Sequence, residues 1–301
     1  MQTPTFSIVV PTCRRPAKLA SCLRSLAEQT WPRDDFEVIV VDDANMREAV
    51  GPLVERGHPF ACHLVSQVNR GAAAARNAGA RRGRGRLLAF TDDDCEPEPA
   101  WLEQLAEAMA AVPEPETTLV GGRVVNALVR DRFAAASQAL VDFMVEQGNL
   151  GAAEGRLFTS NNLCVPRAPF HALGGFDERF RGAGGEDREF CLRWDRSGGH
   201  TARRSVYAPS AVVRHAHDLN FARFCRQHYA YGRGAALLRQ RALVHGYGPL
   251  PLERASFYWK LLRHPQQAAD LEPRVERSLL FLVSQLANAV GYVRGRFLER
   301  A

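Results

Sequence analysis

No run of eighteen or more uncharged apolar residues occurs in the 301-residue sequence, so nothing in it predicts a membrane-spanning helix. The first residues, MQTPTFSIVVPT, lack the basic and apolar regions of a signal peptide and pass straight into strand-like sequence, so an exported or polytopic protein is not expected. No C-x-x-C pair is present. The seven cysteines (Cys13, Cys22, Cys62, Cys95, Cys164, Cys191 and Cys225) are odd in number and scattered, which argues against a disulfide framework and a structural zinc site. That usage fits a reducing, cytoplasmic compartment. Neither G-x-x-x-x-G-K-[ST] nor G-x-G-x-x-G follows a strand, which removes support for P-loop and dinucleotide-binding readings. Lysine is almost missing: only Lys18 and Lys260 occur.

Arginine supplies the positive charge instead, and unevenly. From Gly199 to Ala301 there are sixteen Arg/Lys against six Asp/Glu, whereas the preceding residues are net acidic and the whole chain is +6. The C-terminal third is therefore suited to an anionic partner such as a lipid surface, a nucleotide or a polyanion. Hydrophobic residues at 46% and charged residues at 24% are ordinary globular values and exclude a disordered or fibrous chain.

Up to Val125 the pattern alternates strand and helix. Strands are predicted at Phe6–Thr12, Phe36–Asp43, Ala61–Val65, Arg86–Thr91 and Thr118–Val125. Helices are expected around Leu19–Leu26, from Gly71 to about Arg82, and around Trp101–Val112. Near-continuous apolar strands separated by amphipathic helices predict an α/β fold with a mostly parallel sheet covered on both faces. Ligands of such sheets bind beyond the carboxyl ends of the strands, where Pro11-Thr12, Asp42-Asp43, Asn69 and Asp92–Asp94 fall. Further on, Arg132–Gln147 reads as helix, Leu157–Val165 as strand and Glu186–Arg196 as helix, and helices follow from Asn220. The last carries an apolar stripe of Leu279, Leu282, Val283, Leu286, Val290, Val293 and Phe297, with Arg294, Arg296 and Arg300 at its end. The stripe predicts packing against the domain or a second copy, with docking on a membrane surface as the alternative.

Five segments carry chemistry. F-T-D-D-D at Phe90–Asp94 sets three carboxylates at a strand end, where they repel one another unless a cation intervenes. Extended alternation would let Asp92 and Asp94 share Mg²⁺ or Mn²⁺ while Asp93 faces elsewhere. In Asn69–Gly79, Gly71 precedes a helix start that suits an anion, and Arg76 and Asn77 follow on its second turn. Asp42 and Asp43 are placed to accept from a base N–H or a ribose hydroxyl. Glu186 and Asp187 follow the glycines of Gly182–Gly185 and open a helix, a position suited either to capping or to a general base. V-V-R-H-A-H at Val212–His217 offers an imidazole to a metal.

Taken together and in this order, the segments resemble family 2 glycosyltransferases of the GT-A fold, over about Thr5 to Gly234. The resemblance implies a Rossmann-like, mostly parallel central sheet flanked by helices, with a nucleotide-sugar-binding half (1–125), an acceptor-binding half (126–218) and a helical C-terminal extension (219–301). It places Pro11, Thr12 and Arg14 near the nucleotide and gives base recognition to Asp43. It puts Asn69, Gly71 and Arg76 at the diphosphate. Asp94 becomes the direct metal ligand, with Asp92 nearer the ribose and the metal's waters, Asp93 counted with the donor-binding set, and His215 approaching the metal. By the same resemblance Asp187 is the catalytic base, and Asn161, Asn162 and Glu186 belong to the acceptor site.

The implied reaction is inverting transfer of one sugar from a nucleoside diphosphate, UDP favoured, to the hydroxyl of a glycan, a lipid-linked acceptor or a small molecule. Mn²⁺ or Mg²⁺ is the implied cofactor. The Q-x-x-R-W motif of processive synthases is missing, which favours single-sugar transfer. The competing readings are a sugar-nucleotide nucleotidyltransferase and a non-enzymatic basic module for membrane or nucleic acid. Under the leading reading no nucleic acid is bound. The protein is then cytoplasmic or peripheral at the inner face of the membrane, with a homodimer through the C-terminal helices left open.

Overall fold

The computed structural model describes residues 3–149, 157–182, 184–197, 203–267 and 274–297. They form two compact units. The first comprises Met1–Val125, Phe158–Arg181 and Phe190–Ala216, and the second Asn126–Leu157, Gly182–Glu189 and His217–Ala301. The segment 126–218, expected as one acceptor half, is therefore divided between the two.

The first unit is built on strands β1 (Phe6–Thr12), β2 (Phe36–Asp42), β3 (Ala61–Ser66), β4 (Leu87–Phe90), β5 (Cys95–Pro97), β6 (Thr118–Asn126), β7 (Leu163–Pro166) and β8 (Arg204–His215). Their order in the sheet is β3-β2-β1-β4-β7-β6-β8-β5. The run β3-β2-β1-β4 is parallel, as the alternation predicts, with Thr12 opposite Asp42 and Val9 opposite Phe90. Beyond β4 the partners turn antiparallel: β4 with β7, β6 with β7, and β5 with β8.

Helices α1 (Pro16–Ala27), α2 (Arg47–Glu55), α3 (Ala72–Arg82) and α4 (Trp101–Ala110) follow β1, β2, β3 and β5 in turn. All seven β1 residues are buried, and their alternation serves two cores. Phe6, Ile8 and Val10 join Leu19, Leu23 and Leu26 of α1 and Trp101 and Leu105 of α4. Val9 joins Ala73, Ala75 and Ala80 of α3, with Phe90, Phe170 and Phe176. The alanine bias of α3 is thus a packing face against the sheet. Short side chains let a helix lie close to strands made of valine and isoleucine.

The second unit is helical: α5 (Arg132–Asn149), α8 (Phe221–Val244), α9 (Ala255–Gln267) and α10 (Arg274–Phe297). The two remaining helices are α6 (Arg167–Ala172) in the first unit and α7 (Glu186–Arg196), of which the first turn belongs to the second unit. Ala136, Leu140, Phe143, Phe224, Leu261, Leu280 and Phe281 make its apolar core. α8 and α10 approach through Gly232 and Gly291. A Cβ on the first would run into the Asn288 carbonyl, and one on the second into that of Tyr229.

The α10 stripe is not what packs here. Leu280, Phe281 and Ser284 are buried, whereas Leu279, Leu282, Leu286, Val290, Val293 and Phe297 are exposed and Val283 is half-buried. The expectation that the stripe packs against its own domain is corrected, because the helix turns its other side inward.

His228 of α8 is buried beside Phe224 and Tyr231, with ring centroids 4.4 and 5.5 Å away. Its Nε2 has no hydrogen-bond partner, and burial pushes its pKa down to about 4. The folded ring is neutral where the unfolded one takes a proton. Stability is therefore full above the unfolded value of about 6.5 and falls by about 3 kcal/mol as the pH drops towards 4. Replacing His228 by Phe should flatten that part of the profile of urea midpoint against pH. An unchanged slope would assign the loss to other groups.

Candidate active site

The carboxyl ends of β1, β2 and β4 carry the polar residues of the first unit. β4 stops at Phe90, and the Cys95 N–H donates to the Asp92 carbonyl at 3.1 Å, so the acids lie on a turn. That corrects the expectation drawn from strand alternation: Asp92 and Asp94 do not pair off on one side. Asp92 Oδ1 accepts from Arg76 Nη2 at 2.6 Å, and the Arg76 guanidinium is itself buried, 5.9 Å from the Phe176 ring centroid. Asp93 and Asp94 share Arg15 instead. Its Nη2 lies 2.6 Å from Asp93 Oδ1 and its Nη1 2.7 Å from Asp94 Oδ2.

Asp94 is the best-neutralised carboxylate in this group. Lys18 Nζ is 3.6 Å from its Oδ2, and His215 Nε2, at the end of β8, is 3.3 Å from its Oδ1. Burial alone would raise its pKa. The hydrogen bond and charge of His215, with Arg15 and Lys18, outweigh burial and hold the carboxyl well below the usual range. Asp93 is fully buried, and burial pushes its pKa up to about 7, with Asp94 and Asp92 acting in the same direction. Arg15 and the Thr12 hydroxyl, which donates to Asp93 Oδ2 at 2.7 Å, oppose the rise.

Among the described residues the ligand atoms of Asp94, Cys95 and His215 cluster within 4.8 Å of one another. The Cys95 thiol is fully buried, and burial raises its pKa far above the ordinary value, so it stays protonated. A carboxylate and an imidazole remain, a donor set that fits Mn²⁺ and, through the carboxylate, Mg²⁺. Beside them Asn161 is buried, its Nδ2 3.5 Å from His215 Nδ1 and its Oδ1 without a hydrogen-bond partner. Of the three expected metal residues the structure brings together Asp94 and His215. Asp92 is turned to Arg76.

Other expected residues fall differently. Asp43 spends both oxygens on the loop before α3: Oδ1 accepts from Gln67 Nε2 and the Arg70 N–H, and Oδ2 from the Gly71 N–H. It shapes the loop that Gly71, at φ 94°, turns into the helix. Asp42 is fully buried, with Oδ1 accepting from the Ala44 N–H and Oδ2 left without a partner. A buried orphan of this kind calls for a water or a ligand hydroxyl. Asn69 is exposed, its amide 3.2 Å from Cys13 Sγ, and Pro11 is buried within β1.

Arg14 is exposed in the left-handed region at φ 57°, and the basic residue that reaches the acids is its neighbour Arg15. Sequence reading missed Arg15 and Lys18. Their position at the start of α1, directly after a strand end, marks the segment but does not separate Arg15 from Arg14.

Asn162 is corrected from acceptor site to framework. Its Oδ1 accepts from Trp101 Nε1, and its Nδ2 donates to the carbonyls of Arg123 and Ala211, with no exposed surface left. Asn77 likewise works inside the protein. Its Nδ2 donates to the Phe176 carbonyl at 2.8 Å while its Oδ1 accepts from the Phe176 N–H at 2.9 Å. Arg193 holds the same segment through the carbonyls of Leu173 and Gly175, both at 2.7 Å. Asn77→Ala would strand two buried backbone groups of Phe176, and a loss of about 2–4 kcal/mol is expected. Urea unfolding measures it. A loss well under 1 kcal/mol would mean that the segment finds other partners.

In the second unit, Glu186 is buried and Asp187 half-buried on the first turn of α7, and the Arg188 N–H donates to Asp187 Oδ1 at 2.8 Å. The positive end of the helix dipole favours negative charge at both.

Comparison with known proteins gives the family and the fold. The family model described as glycosyl transferase family 2 matches residues 7–160, and glycosyl transferase family group 2 matches 88–290. Validoxylamine A glucosyltransferase of Streptomyces hygroscopicus subsp. jinggangensis is 30% identical, over 75% of this chain and 61% of its own length. Hyaluronan synthase of Pasteurella multocida is 28% identical, over 64% of this chain and 23% of its own. This chain thus spans about three-fifths of the first of these relatives.

Among solved structures, the Pyrobaculum calidifontis mannosyltransferase PcManGT, in complex with GDP-Man and Mn²⁺, matches with a TM-score of 0.65 at 18% identity, over 100% of this chain and 89% of that one. TarS of S. aureus with UDP-GlcNAc matches at 0.57 and 16%, over 97% and 90%. These likenesses establish the fold, an α/β sheet of the GT-A kind with a helical C-terminal region.

Proposed function

The chain belongs to glycosyl transferase family 2, and from that membership we propose that it transfers a single sugar from a nucleoside diphosphate sugar to a hydroxyl acceptor, with inversion and with a divalent metal. The observation that carries the reading is the charge arrangement at the strand ends: an ionised Asp94 facing His215, Arg15 and Lys18, next to Asp92 held by Arg76. Departure of the sugar leaves additional negative charge on the diphosphate. Fixed positive groups near the developing charge lower that barrier without having to reorganise. Arg76, Arg15 and Lys18 are those groups in this chain.

Asp94 and His215 are the residues to hold the cation, which when bound adds further positive charge beside the diphosphate. Asp42 supplies an unused acceptor oxygen near the nucleoside end. Asp43 acts one step removed, by fixing the backbone of residues 70 and 71. On the acceptor side, Asp187 takes the proton from the attacking hydroxyl, which then reaches the anomeric carbon from the face opposite the leaving group. Asn161, with its unpartnered oxygen, is the polar group we assign to orient a hydroxyl, and Glu186 stands next to the base.

GDP-Man and UDP-GlcNAc are bound by PcManGT and TarS respectively. For this chain a UDP-sugar is the first donor to try. The test is calorimetric titration with UDP-, GDP-, TDP- and CDP-sugars in Mn²⁺, in Mg²⁺ and in EDTA. One donor class should bind, with loss in EDTA, and turn over slowly to the nucleoside diphosphate. Absence of binding by every donor with either metal would refute the reading.

A further inference from the structure

The exposed side of α10 has an unusual composition. Its large exposed side chains from residue 275 to 293 are Val275, Leu279, Leu282, Leu286, Val290 and Val293, between 47% and 74% accessible, and Phe297 continues the line. Ala289 is the other exposed residue in that stretch, so no polar side chain interrupts it. At 1.5 Å per residue the line runs about 33 Å. Apolar stripes of that length on a folded surface mark a contact with something else.

The surrounding charges select the occupant. α9 shares an apolar cluster with α10, through Leu261 with Leu280 and Phe281, and exposes Trp259 at 62% and Tyr258 at 40%. Among the described side chains, the exposed ions on these two helices are Lys260, Arg263, Arg294 and Arg296. α9 contains no acid. The one acid of α10, Glu276, is half-buried and paired with Arg132 at 2.7 Å. A second copy would bring basic rims against basic rims with no exposed acid on either helix to answer them. An anionic lipid surface answers all of them, takes the apolar line into its acyl boundary, and suits tryptophan and tyrosine at headgroup depth.

We propose that the apolar face of α10, with Trp259 and the adjoining basic residues, docks on an anionic membrane surface. No helix among the described residues is long and apolar enough to cross a membrane, so the contact is one of lying on the surface. It is independent of the sugar-transfer reading, because binding to vesicles needs neither donor nor metal.

The experiment is flotation of the full chain with vesicles of phosphatidylcholine alone and of phosphatidylcholine with phosphatidylglycerol. Flotation should require the anionic lipid and weaken with salt. The double variant Leu286→Glu, Val290→Glu should weaken it at least about tenfold. Arg294→Glu with Arg296→Glu tests the charge separately, and a similar drop of about tenfold is expected. All four side chains are exposed, and a thermal melt confirms that each variant folds. Sedimentation equilibrium without vesicles should give a monomer. Failure to bind anionic vesicles, or binding indifferent to both variants, overturns the proposal. So does a dimer that Leu286→Glu dissociates, which would identify a second copy as the occupant.

Discussion

Asp187→Asn should lower kcat by about 10²–10⁴-fold, the usual contribution of a positioned general base. Binding of the nucleotide sugar should be retained. Asparagine keeps the shape of the side chain and an oxygen to accept from the Arg188 N–H, which donates to Asp187 Oδ1 at 2.8 Å. What it loses is the ability to take a proton. An alcohol is a weak nucleophile until its proton has somewhere to go, and an inverting displacement supplies no covalent intermediate to share the work. The deficit should therefore sit in kcat, measured by release of nucleoside diphosphate. Calorimetry of the donor should be unchanged.

Glu186→Gln is the control. Its neighbouring carboxylate lies at the same helix start but is buried, and its loss should be the smaller of the two. Full turnover by the Asp187 variant, or a larger loss at Glu186, would remove Asp187 from the role.

Asp94→Asn should cost about 10²–10³-fold in kcat/KM, the scale on which one preorganised electrostatic contact is worth keeping. Two effects act together. The variant removes the carboxylate opposite His215, so the donor set for Mn²⁺ loses its charged member. It also leaves Arg15 Nη1 and Lys18 without the anion they face at 2.7 and 3.6 Å, so that Arg15 is held by Asp93 and Lys18 by the Ala216 carbonyl. The measurement that separates this from simple damage is Mn²⁺ binding followed by electron paramagnetic resonance in the absence of donor. Affinity should fall by at least the 10–100-fold known for disturbing even the groups behind a metal's ligands. Undiminished Mn²⁺ affinity in Asp94→Asn would mean that the cation is held elsewhere.

What was legible in the sequence is what depends on neighbours along the chain. The strands β1 to β4 lie within a residue of their expected bounds, and α1 and α3 fall where a helix period was read, because burial on both faces imposes continuous apolar runs and a helix face imposes its period. α2, short and with Gly51 and Pro52 inside it, was not expected. The ordered set Asp42-Asp43, Asn69–Asn77, Asp92–Asp94 and Glu186-Asp187 identified the family for the same reason. Each is a short cluster of polar side chains beside the end of a recognisable element.

Only the tertiary structure decided which of these side chains meet. Arg15 bridges 78 and 79 residues of chain to Asp93 and Asp94, and Lys18 bridges 198 to the Ala216 carbonyl. No local period distinguishes Arg15 from Arg14 across such gaps. Asp43 turned to its own loop and Asn162 to Trp101 because a buried polar group takes whichever partner the packing brings. The apolar stripe of α10 was plain in the sequence. That it faces outward was not, because a helix with apolar residues on two sides offers either to the core, and the glycines where it crosses α8 fix which one turns in.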